Sequence, residues 1–333
     1  MGSSGIRAGA SHSDTTKRVN VDYLTSLWAG RGLDETIATT ISALRDLPAK
    51  AGFAVECARV GGGFSAWRLA LQQGATDLAA TLRRIQTESG VAVLVIPQEQ
   101  EGAYGYFGAR QWLGSSLTTT HVLDIGGGSL QISGAHSTFG DALGQKIWHR
   151  TLCDELRATT STPCALQPMT DQELTRARTL LAKKLSGIAT TLPANVTMTA
   201  ISRPVSRGVM PAVQHLAGET AATKVLQRST LTKSIQRITA MTSEETATLF
   251  GSTKAHAAYL LSDMLLVEGL LQATNANELH VAELDLTNLP GLLADDRAFL
   301  WSDRYDCYLE RLPSLGLDAY HSDPASCIMK PKP

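Results

Sequence analysis

The sequence predicts an α/β protein of two domains, and three observations support this. Short apolar runs typical of buried strands alternate with stretches in which apolar residues recur at helical spacing. The chain has 333 residues, a length that suits roughly two domains of about 150 residues each. Hydrophobic residues make up 43% of the chain and the formal net charge is −1. That combination excludes global disorder, because disordered chains combine low hydrophobicity with high net charge.

The strand predictions come from apolar runs. Residues 91–96 read Val-Ala-Val-Leu-Val-Ile, which is typical of a strand buried on both faces. Residues 121–124 and 130–133 are predicted as two further strands, and residues 196–201 and 278–284 are weaker candidates.

Helices are predicted over residues 33–49 and 67–84 from their apolar spacing. Thr170 followed by Glu173 forms a capping box that predicts a helix running to about residue 192. The same signature at Thr242 and Glu245 precedes a long helix predicted around residues 259–271.

A small, polar stretch at residues 114–120 is the predicted linker. We therefore expect a first domain over residues 1–118 and a second over residues 119–293. Residues 294–333 change character and are predicted to form a C-terminal extension, because this segment is rich in aromatic residues and ends in Pro-Lys-Pro.

Charge and hydropathy exclude two classes of partner. The balanced charge argues against a nucleic-acid-binding protein, which usually carries a basic excess. The longest apolar stretch, residues 255–271, contains Asp263 and Glu268 and predicts a buried amphipathic helix rather than a membrane span. Residues 1–13 lack the apolar core of a signal peptide. A cytoplasmic location is the resulting prediction.

Five cysteines and eight histidines are present. No CxxC pair occurs and the spacings fit no zinc site, so sparse reduced thiols of a cytosolic protein are the favoured interpretation. Pairing of Cys153 with Cys164, or of Cys307 with Cys327, is the alternative and would indicate an oxidising compartment. The histidines do not cluster, and His149 is interpreted as structural or surface-exposed.

The sharpest motif is Asp124-Ile-Gly126-Gly127-Gly128-Ser129. It lies between two predicted strands, so the three glycines should form a hairpin turn. Consecutive backbone N–H groups in such a turn can bind one phosphate, Asp124 could hold a metal ion or water beside it, and Ser129 could add a hydroxyl donor. The alternative is an ordinary glycine-rich hairpin with a capping Asp.

A second glycine–serine turn opens the chain with Gly2, Ser3 and Arg7. By itself it is weak, since an expression tag can begin similarly. Paired with the first motif, it predicts two hairpins, one per domain, that face each other across a cleft and clamp a phosphate chain. Arg7 would add charge-assisted hydrogen bonds to phosphate oxygens.

Two further segments carry candidate residues. The predicted strand at residues 91–96 is followed by Glu99 and Glu101, and a carboxylate at a strand end beside a phosphate is a plausible general base for water. The alternative is solvated carboxylates at a helix N-terminus. A glycine run at residues 61–63 leads into a helix with Arg68 in its first turn, which could reach a phosphate. There the alternative is a flexible loop followed by a surface arginine.

Together these segments resemble the exopolyphosphatase / guanosine pentaphosphate phosphatase (Ppx/GppA) family of the actin-like ATPase superfamily. The resemblance runs from Gly2 to about residue 293. Residues 1–7, 64–70, 96–108 and 124–131 are similar, in order and spacing, to four family motifs. The resemblance implies two actin-like (ribonuclease H-like) α/β domains that flank a central cleft.

Carried over residue by residue, the resemblance implies that Glu101 activates the attacking water and that Asp124 organises a metal ion or water at the scissile phosphate. Mg²⁺ is the cofactor implied. The phosphate ligands implied are Gly126, Gly127, Gly128 and Ser129 from one turn and Gly2, Ser3, Arg7 and Arg68 from the other segments.

The chain also departs from the family pattern. The Asp of the first hairpin would precede Met1, so an N-terminally truncated member with a missing or shortened first strand is expected. Gln131 replaces a family glutamate, and residues 201–208 contain a proline and two arginines where a glycine turn is expected. Arg203 and Arg207 either bind an anion there or mark a dead site. The closing family motif is similar only in decayed form to residues 283–291.

Two functions follow as expectations. The first is a Mg²⁺-dependent phosphohydrolase that cleaves the terminal phosphoanhydride of polyphosphate or a (p)ppGpp-type nucleotide. The second is an impaired family member that binds such a ligand or another protein. The expected partners are polyphosphate or guanosine polyphosphate, with no nucleic acid and no membrane, and a homodimer stays open.

Overall fold

The computed structural model describes residues 1–10, 16–53, 58–219, 224–282 and 287–327. The chain folds into two compact units, one made of Met1–Gly108 with Asn288–Pro333 and one made of Ala109–Thr287. The observed division differs from the predicted boundaries at 118 and 293. The chain leaves the first unit inside a helix rather than at the polar stretch 114–120, and the aromatic C-terminal segment belongs to the first unit.

The elements of the first unit are, in chain order, β1 (Gly5–Ala8), β2 (Lys17–Asn20), α1 (Tyr23–Trp28), α2 (Asp34–Lys50), β3 (Val60–Gly63), α3 (Ser65–Gln73), α4 (Ala75–Ser89), β4 (Ala92–Val95) and α5 (Gln98–Leu113), the last turn of which enters the second unit. The second unit continues with β5 (His121–Ile125), β6 (Leu130–Gly134), β7 (Thr138–Asp141), α6 (Gln145–Arg157), α7 (Asp171–Lys184), α8 (Ile188–Thr191), β8 (Met198–Ala200), α9 (Met210–Ala217), β9 (Val225–Gln227), α10 (Arg228–Thr239), α11 (Ser243–Leu249), α12 (Lys254–Ala273) and β10 (Glu278–Val281). Helices α13 (Leu289–Leu293), α14 (Asp296–Asp303), α15 (Tyr305–Leu315) and α16 (Asp318–His321) return to the first unit.

The described strands of the first unit form two separate pairs. β1 pairs with β2 in antiparallel fashion, and β3 pairs with β4 in parallel, with Gly63 opposite Val95. The glycine run 61–63 is therefore a strand and not the flexible loop given as an alternative. A Cβ on Gly63 would lie 2.7 Å from Cγ of Trp67, so glycine allows this strand to pack closely against α3.

Two tyrosines of α15 hydrogen-bond to the outer backbone edge of β4. The Tyr305 hydroxyl donates to the Val93 carbonyl at 2.7 Å and accepts from its N–H at 3.1 Å. The Tyr308 hydroxyl accepts from the Val95 N–H at 2.9 Å. An open strand edge is thus satisfied by side chains, which explains why the C-terminal segment carries buried aromatic residues with polar tips.

The second unit is built on a sheet of six described strands in the order β7-β6-β5-β8-β10-β9. The strands β5, β8 and β10 are parallel, whereas β5, β6 and β7 form an antiparallel meander. Helix α12 is buried along most of its length against the core of this unit. All five predicted strands are present, with described ends that differ by up to two residues, and residues 283–284 of the last predicted strand lie outside the described part of the chain.

The predicted helix at 67–84 is two helices, because Gly74 adopts an extended conformation between α3 and α4. The capping boxes at Thr170 and Thr242 are confirmed. Thr242, however, caps the short helix α11, and the long helix α12 has its own N-cap at Thr253.

The cysteines contradict the favoured interpretation of reduced thiols. Cys153 is bonded to Cys164 and Cys307 to Cys327, with Cα–Cα distances of 5.9 and 6.1 Å. Cys57 lies outside the described residues. Spacing along the chain does not reveal such pairing, because the distance between the Cα atoms decides it. Disulfides are typical of oxidising compartments, so the cytoplasmic location stays a prediction that these bonds do not favour. Among the described residues, no helix is long and apolar enough to cross a membrane.

Candidate functional site

Glu101 lies in the first turn of α5, just beyond the carboxyl end of β4, and only 7% of its surface is exposed. Its Oε2 atom accepts a hydrogen bond from Arg68 Nη2 at 2.7 Å, and its Oε1 atom accepts one from Asn288 Nδ2 at 3.3 Å. The candidate base is therefore a buried carboxylate in a polar setting, not the solvated carboxylate that was the alternative.

Arg68 is 6% exposed and also donates through Nη1 to the Ile96 carbonyl at 2.9 Å. The surface arginine given as the alternative is wrong, because Arg68 is buried beside Glu101, whereas its role as a phosphate ligand stays a prediction. Both residues follow parallel neighbouring strands, β3 and β4, whose carboxyl ends meet at one edge of the sheet. That topology was the one signal that could have predicted their pairing.

Helix α5 is held in place by a hydroxyl cluster. The hydroxyls of Tyr104 and Tyr320 both donate to Asp295 Oδ2 at 2.5 Å, and they lie 2.7 Å from each other. Gln100 donates to the same carboxylate oxygen at 3.3 Å. The C-terminal segment thereby fixes the helix that carries Glu101.

The first glycine–serine turn forms as predicted. Gly2 N donates to Gly5 O at 3.0 Å across an antiparallel bridge, and Ser3 is buried with its carbonyl accepting from Tyr23 N at 3.3 Å. Arg7 lies opposite Arg18 in the β1–β2 register. Burial lowers the pKa of the Met1 amino group to about 5, and the charge of Glu101 counters that change. The start of the turn therefore lies near the buried carboxylate, while the phosphate roles of Gly2, Ser3 and Arg7 stay predictions.

The second turn is also a hairpin. Ile125 pairs with Leu130, and Gly126 N donates to Ser129 O at 2.8 Å, which closes the turn between β5 and β6. Asp124, at the end of β5, lies opposite Gln131. The predicted turn is confirmed, whereas its binding of phosphate stays a prediction.

The first turn of α6 binds the carbonyls of this hairpin. Gln145 N donates to Gly126 O at 2.9 Å, and Lys146 N donates to Gly127 O at 2.8 Å. Two N–H groups that would otherwise lack intrahelical partners are thus satisfied by the turn. The helix and the glycine turn hold each other in one conformation.

Gly144, which no sequence motif singled out, makes this contact possible. A Cβ atom at this position would lie 2.4 Å from Ser129 N, 2.5 Å from Gly126 O and 2.6 Å from Gly128 N. All three neighbours are backbone atoms that cannot move aside without distorting the turn. A glycine just before a helix, downstream of a hairpin, is the weak signal that sequence reasoning passed over.

Ser129 is 2% exposed, and its Oγ accepts a hydrogen bond from Gln131 Nε2 at 3.2 Å. Gln131 is equally buried. The side chain that replaces the family glutamate thus orients the hydroxyl predicted to bind phosphate.

Asp263 of α12 contacts the first residue of α6, next to the same glycine turn. Its Oδ2 atom accepts from Gln145 Nε2 at 2.5 Å, and its Oδ1 atom is buried without a hydrogen-bond partner among the described residues. Burial raises the pKa of Asp263 well above its usual range. Burial therefore favours the neutral form of Asp263, and its partner Gln145 begins the helix that contacts the glycine turn.

Replacing Asp263 by asparagine is expected to make stability less dependent on pH. The folded-state pKa of Asp263 lies above the unfolded value of about 3.9, so wild-type stability falls as pH rises through that interval, by up to about 1.4 kcal/mol per pH unit. Asparagine does not titrate, so Asp263→Asn should gain stability relative to wild type as pH rises. Denaturant unfolding over a pH series measures this, with exposed Asp154→Asn as control. Equal slopes in Asp263→Asn and wild type would contradict it.

The segment at residues 201–208 does not form a glycine turn. Pro204–Val209 is a π-helical turn that continues directly into α9, and Arg203 and Arg207 are exposed on it. Anion binding by these arginines stays a prediction. Of the closing motif at 283–291, residues 283–286 lie outside the described part of the chain.

The donors around Asp124 fit a hard cation. Asp124 lies opposite Gln131 in the register of β5 and β6, and Ser129 Oγ accepts a hydrogen bond from the Gln131 amide. Carboxylate, hydroxyl and amide groups such as these supply the oxygen ligands that Mg²⁺ prefers, with substrate phosphates completing its shell.

Comparison with known proteins gives a family match and several similar structures. Residues 74–288 match the model of the Ppx/GppA phosphatase family. A stretch of 68 residues is 34% identical to an uncharacterized protein of Streptomyces coelicolor, and it spans 20% of each chain. Two structures of the Aquifex aeolicus Ppx/GppA protein share the fold with TM-scores of 0.60 and 0.62, each at 20% identity over 88% of this chain and 96% or 94% of theirs. An exopolyphosphatase from Cytophaga hutchinsonii aligns with a TM-score of 0.59 at 17% identity, over 85% of this chain and 88% of its own. These likenesses confirm the expected actin-like α/β fold.

Proposed function

Because this chain belongs to the Ppx/GppA phosphatase family, we propose that it hydrolyses the terminal phosphoanhydride of polyphosphate or of a guanosine pentaphosphate-type nucleotide. The observation that carries this proposal is the buried Glu101 carboxylate at the carboxyl end of β4, bound to Arg68 at 2.7 Å. A side chain held this rigidly is suited to accept a proton from one positioned water.

In the proposed reaction Glu101 accepts a proton from water as the water oxygen bonds to the terminal phosphorus. The bridging P–O bond breaks, and orthophosphate leaves together with a chain shorter by one phosphate. Glu101 accepts hydrogen bonds from Arg68 on Oε2 and from Asn288 on Oε1, and these bonds orient both carboxylate oxygens. Arg68 is the partner with a second role available, because a guanidinium can bind a phosphate oxygen bidentately.

The turn from Gly126 to Ser129 is proposed to bind phosphate oxygens, with Gly2, Ser3 and Arg7 doing so from the first turn. Support comes from the rigidity of the second turn, which α6 holds through two backbone hydrogen bonds. Donors that are fixed before the reaction need no reorganisation as charge develops on the phosphoryl group. Asp124 would hold Mg²⁺, which neutralises charge on the transferred phosphoryl group when it is bound.

A second candidate is a binding protein without turnover. The presence of Gln131 instead of an acidic residue opposite Asp124 favours it. Such a protein would keep the glycine turns for a polyphosphate or nucleotide ligand, or would bind another protein.

Phosphate release from long-chain polyphosphate and from guanosine pentaphosphate separates the two candidates. We expect the purified chain to release orthophosphate from at least one of them only when Mg²⁺ is present. Asp124→Ala should lose this activity, whereas Asp154→Ala, an exposed aspartate on α6, should keep it. Tight binding of polyphosphate or guanosine pentaphosphate with no release would favour the binding protein. Neither binding nor release would contradict the phosphatase and a protein that binds these ligands.

A further inference from the structure

We propose that His149, Cys153 and Cys164 form a redox-controlled site for a thiophilic metal ion of the Zn²⁺ class, bound when the disulfide is reduced. The ligand atoms of these three residues all lie within 4.8 Å of one another. Among the described residues, no other group of three or more histidine, cysteine or acidic side chains meets this distance. Nothing in the proposed phosphatase reaction requires them.

The secondary structure explains how the cluster forms. His149 and Cys153 are four residues apart on α6, so both project from one face of the helix. Cys164 comes from the segment that follows the helix and returns to that face. Two ligands at this helical spacing with a third from elsewhere is an arrangement that zinc sites use.

The histidine ring is already oriented for a ligand. Ser262 Oγ donates to Tyr259 O at 2.7 Å, so it must accept from His149 Nδ1 at 3.0 Å. Nε2 then carries the lone pair, which accepts the Cys164 N–H at 3.2 Å, a hydrogen bond that a metal ion on Nε2 would replace. A metal-binding histidine typically donates its other ring N–H in this way, which fixes its tautomer.

Packing keeps the ring in this position. His149 is fully buried and lies against the Tyr259 ring, with ring centroids 4.6 Å apart. Cys153 is fully buried, whereas Cys164 is partly exposed. A small thiol reductant would therefore reach the bond from the side of Cys164.

The metal site can form only after the disulfide is reduced. In the disulfide each sulfur is bonded to the other, so neither is available as a thiolate ligand. A dithiol or phosphine reductant supplies two electrons and, with two protons, converts the bond into two thiols. Binding of the metal by Cys153, Cys164 and His149 then releases both thiol protons. Three protein ligands leave a fourth position for water.

The second disulfide provides a matched control. Cys307 and Cys327 are also bonded in this chain, but no described histidine or acidic group joins them in a cluster of three. Reduction should therefore release two thiols there without creating a comparable metal site.

The test uses Co²⁺ as a spectroscopic probe on the full chain, reduced anaerobically with a phosphine. Thiol titration counts the free cysteines, and circular dichroism reports the fold. We expect thiolate-to-Co²⁺ charge-transfer absorption to saturate at one ion per chain in reduced wild type and in Cys307→Ser/Cys327→Ser. The absorption should be lost in Cys153→Ser and in His149→Ala, absent before reduction, and bleached when Zn²⁺ is added.

Three results would overturn the proposal. One is reduced, folded wild type that shows free thiols and no thiolate–Co²⁺ absorption. Another is absorption that survives in Cys153→Ser or in His149→Ala, or that disappears in Cys307→Ser/Cys327→Ser. The third is unfolding on reduction that Zn²⁺ does not reverse, since a site that exists only in an unfolded chain is not the one proposed. Phosphate release enters none of these readouts, so failure here is distinguishable from failure of the phosphatase proposal.

Discussion

Glu101→Gln is expected to lower the rate of phosphate release by about 100- to 10,000-fold, the usual contribution of a general base. Glutamine keeps the shape and the hydrogen-bonding reach of Glu101 but cannot accept the proton of the attacking water. The change also leaves the buried Arg68 guanidinium without its counter-charge. Breaking a buried ion pair costs about 3–5 kcal/mol, so stability should fall together with activity. Phosphate release and denaturant unfolding, measured on the same samples, separate the two effects.

Glu99→Gln is the matched control for this prediction. Glu99 lies in the same helical turn but is exposed and contacts only His321 Nε2, at 2.8 Å, among the described hydrogen bonds. We expect Glu99→Gln to keep both activity and stability. Folded Glu101→Gln that releases phosphate at the wild-type rate would remove Glu101 from the reaction.

The second large effect is expected from Gly144→Ala. The added Cβ would meet Ser129 N, Gly126 O and Gly128 N at 2.4–2.6 Å, and real Cβ atoms do not approach backbone so closely. Either the glycine turn or the start of α6 must move, and both hydrogen bonds between them would be lost. Overpacking in a well-packed region typically costs about 1–3 kcal/mol. The rate of phosphate release should fall by more than the loss of folded protein accounts for, because the turn is where phosphate is proposed to bind.

Gly187→Ala serves as the control in the same unit. A Cβ at Gly187 would contact only Phe139 Cε2, at 3.7 Å, which is an ordinary van der Waals distance. This variant should have the same free energy of unfolding and the same rate of phosphate release as wild type. If Gly144→Ala behaves in the same way, the proposed coupling between α6 and the glycine turn is wrong.

Much of the fold could be predicted from local pattern. Residues 91–96 are apolar at every position, as expected for β4, which is buried on both faces. The turn after Asp124 followed from three glycines between two apolar runs, and Thr170 signalled a helix start through its capping box. Each of these features depends on residues close together in the chain.

The rest depends on contacts between distant residues. Arg68 and Glu101 are 33 positions apart, and their pairing follows from the parallel register of β3 and β4. Gly144 owes its role to the hairpin that returns to α6, and Cys153 meets Cys164 because the chain folds back. Short motifs carry no information on such contacts, so they predicted neither the pairing of Arg68 with Glu101 nor the disulfides.

The glycine run 61–63 shows how one pattern can serve two structures. Glycines before a helix suggested a loop, since glycine is usually disfavoured within strands. Here Gly61 lies against Val93, where a Cβ would be 3.0 Å from Cγ2 of that side chain. Close packing against neighbouring side chains therefore explains the glycine in β3, and the flexibility of a loop does not.

The central proposal is that water attacks the terminal phosphorus of a phosphoanhydride. Hydrolysis of polyphosphate in ¹⁸O-enriched water by the full chain tests it most directly, with mass analysis of both products. We predict that the released orthophosphate gains one ¹⁸O atom from water, while the shortened polyphosphate gains none. Label in the shortened chain, or no orthophosphate release above that of Glu101→Gln, would contradict the proposal.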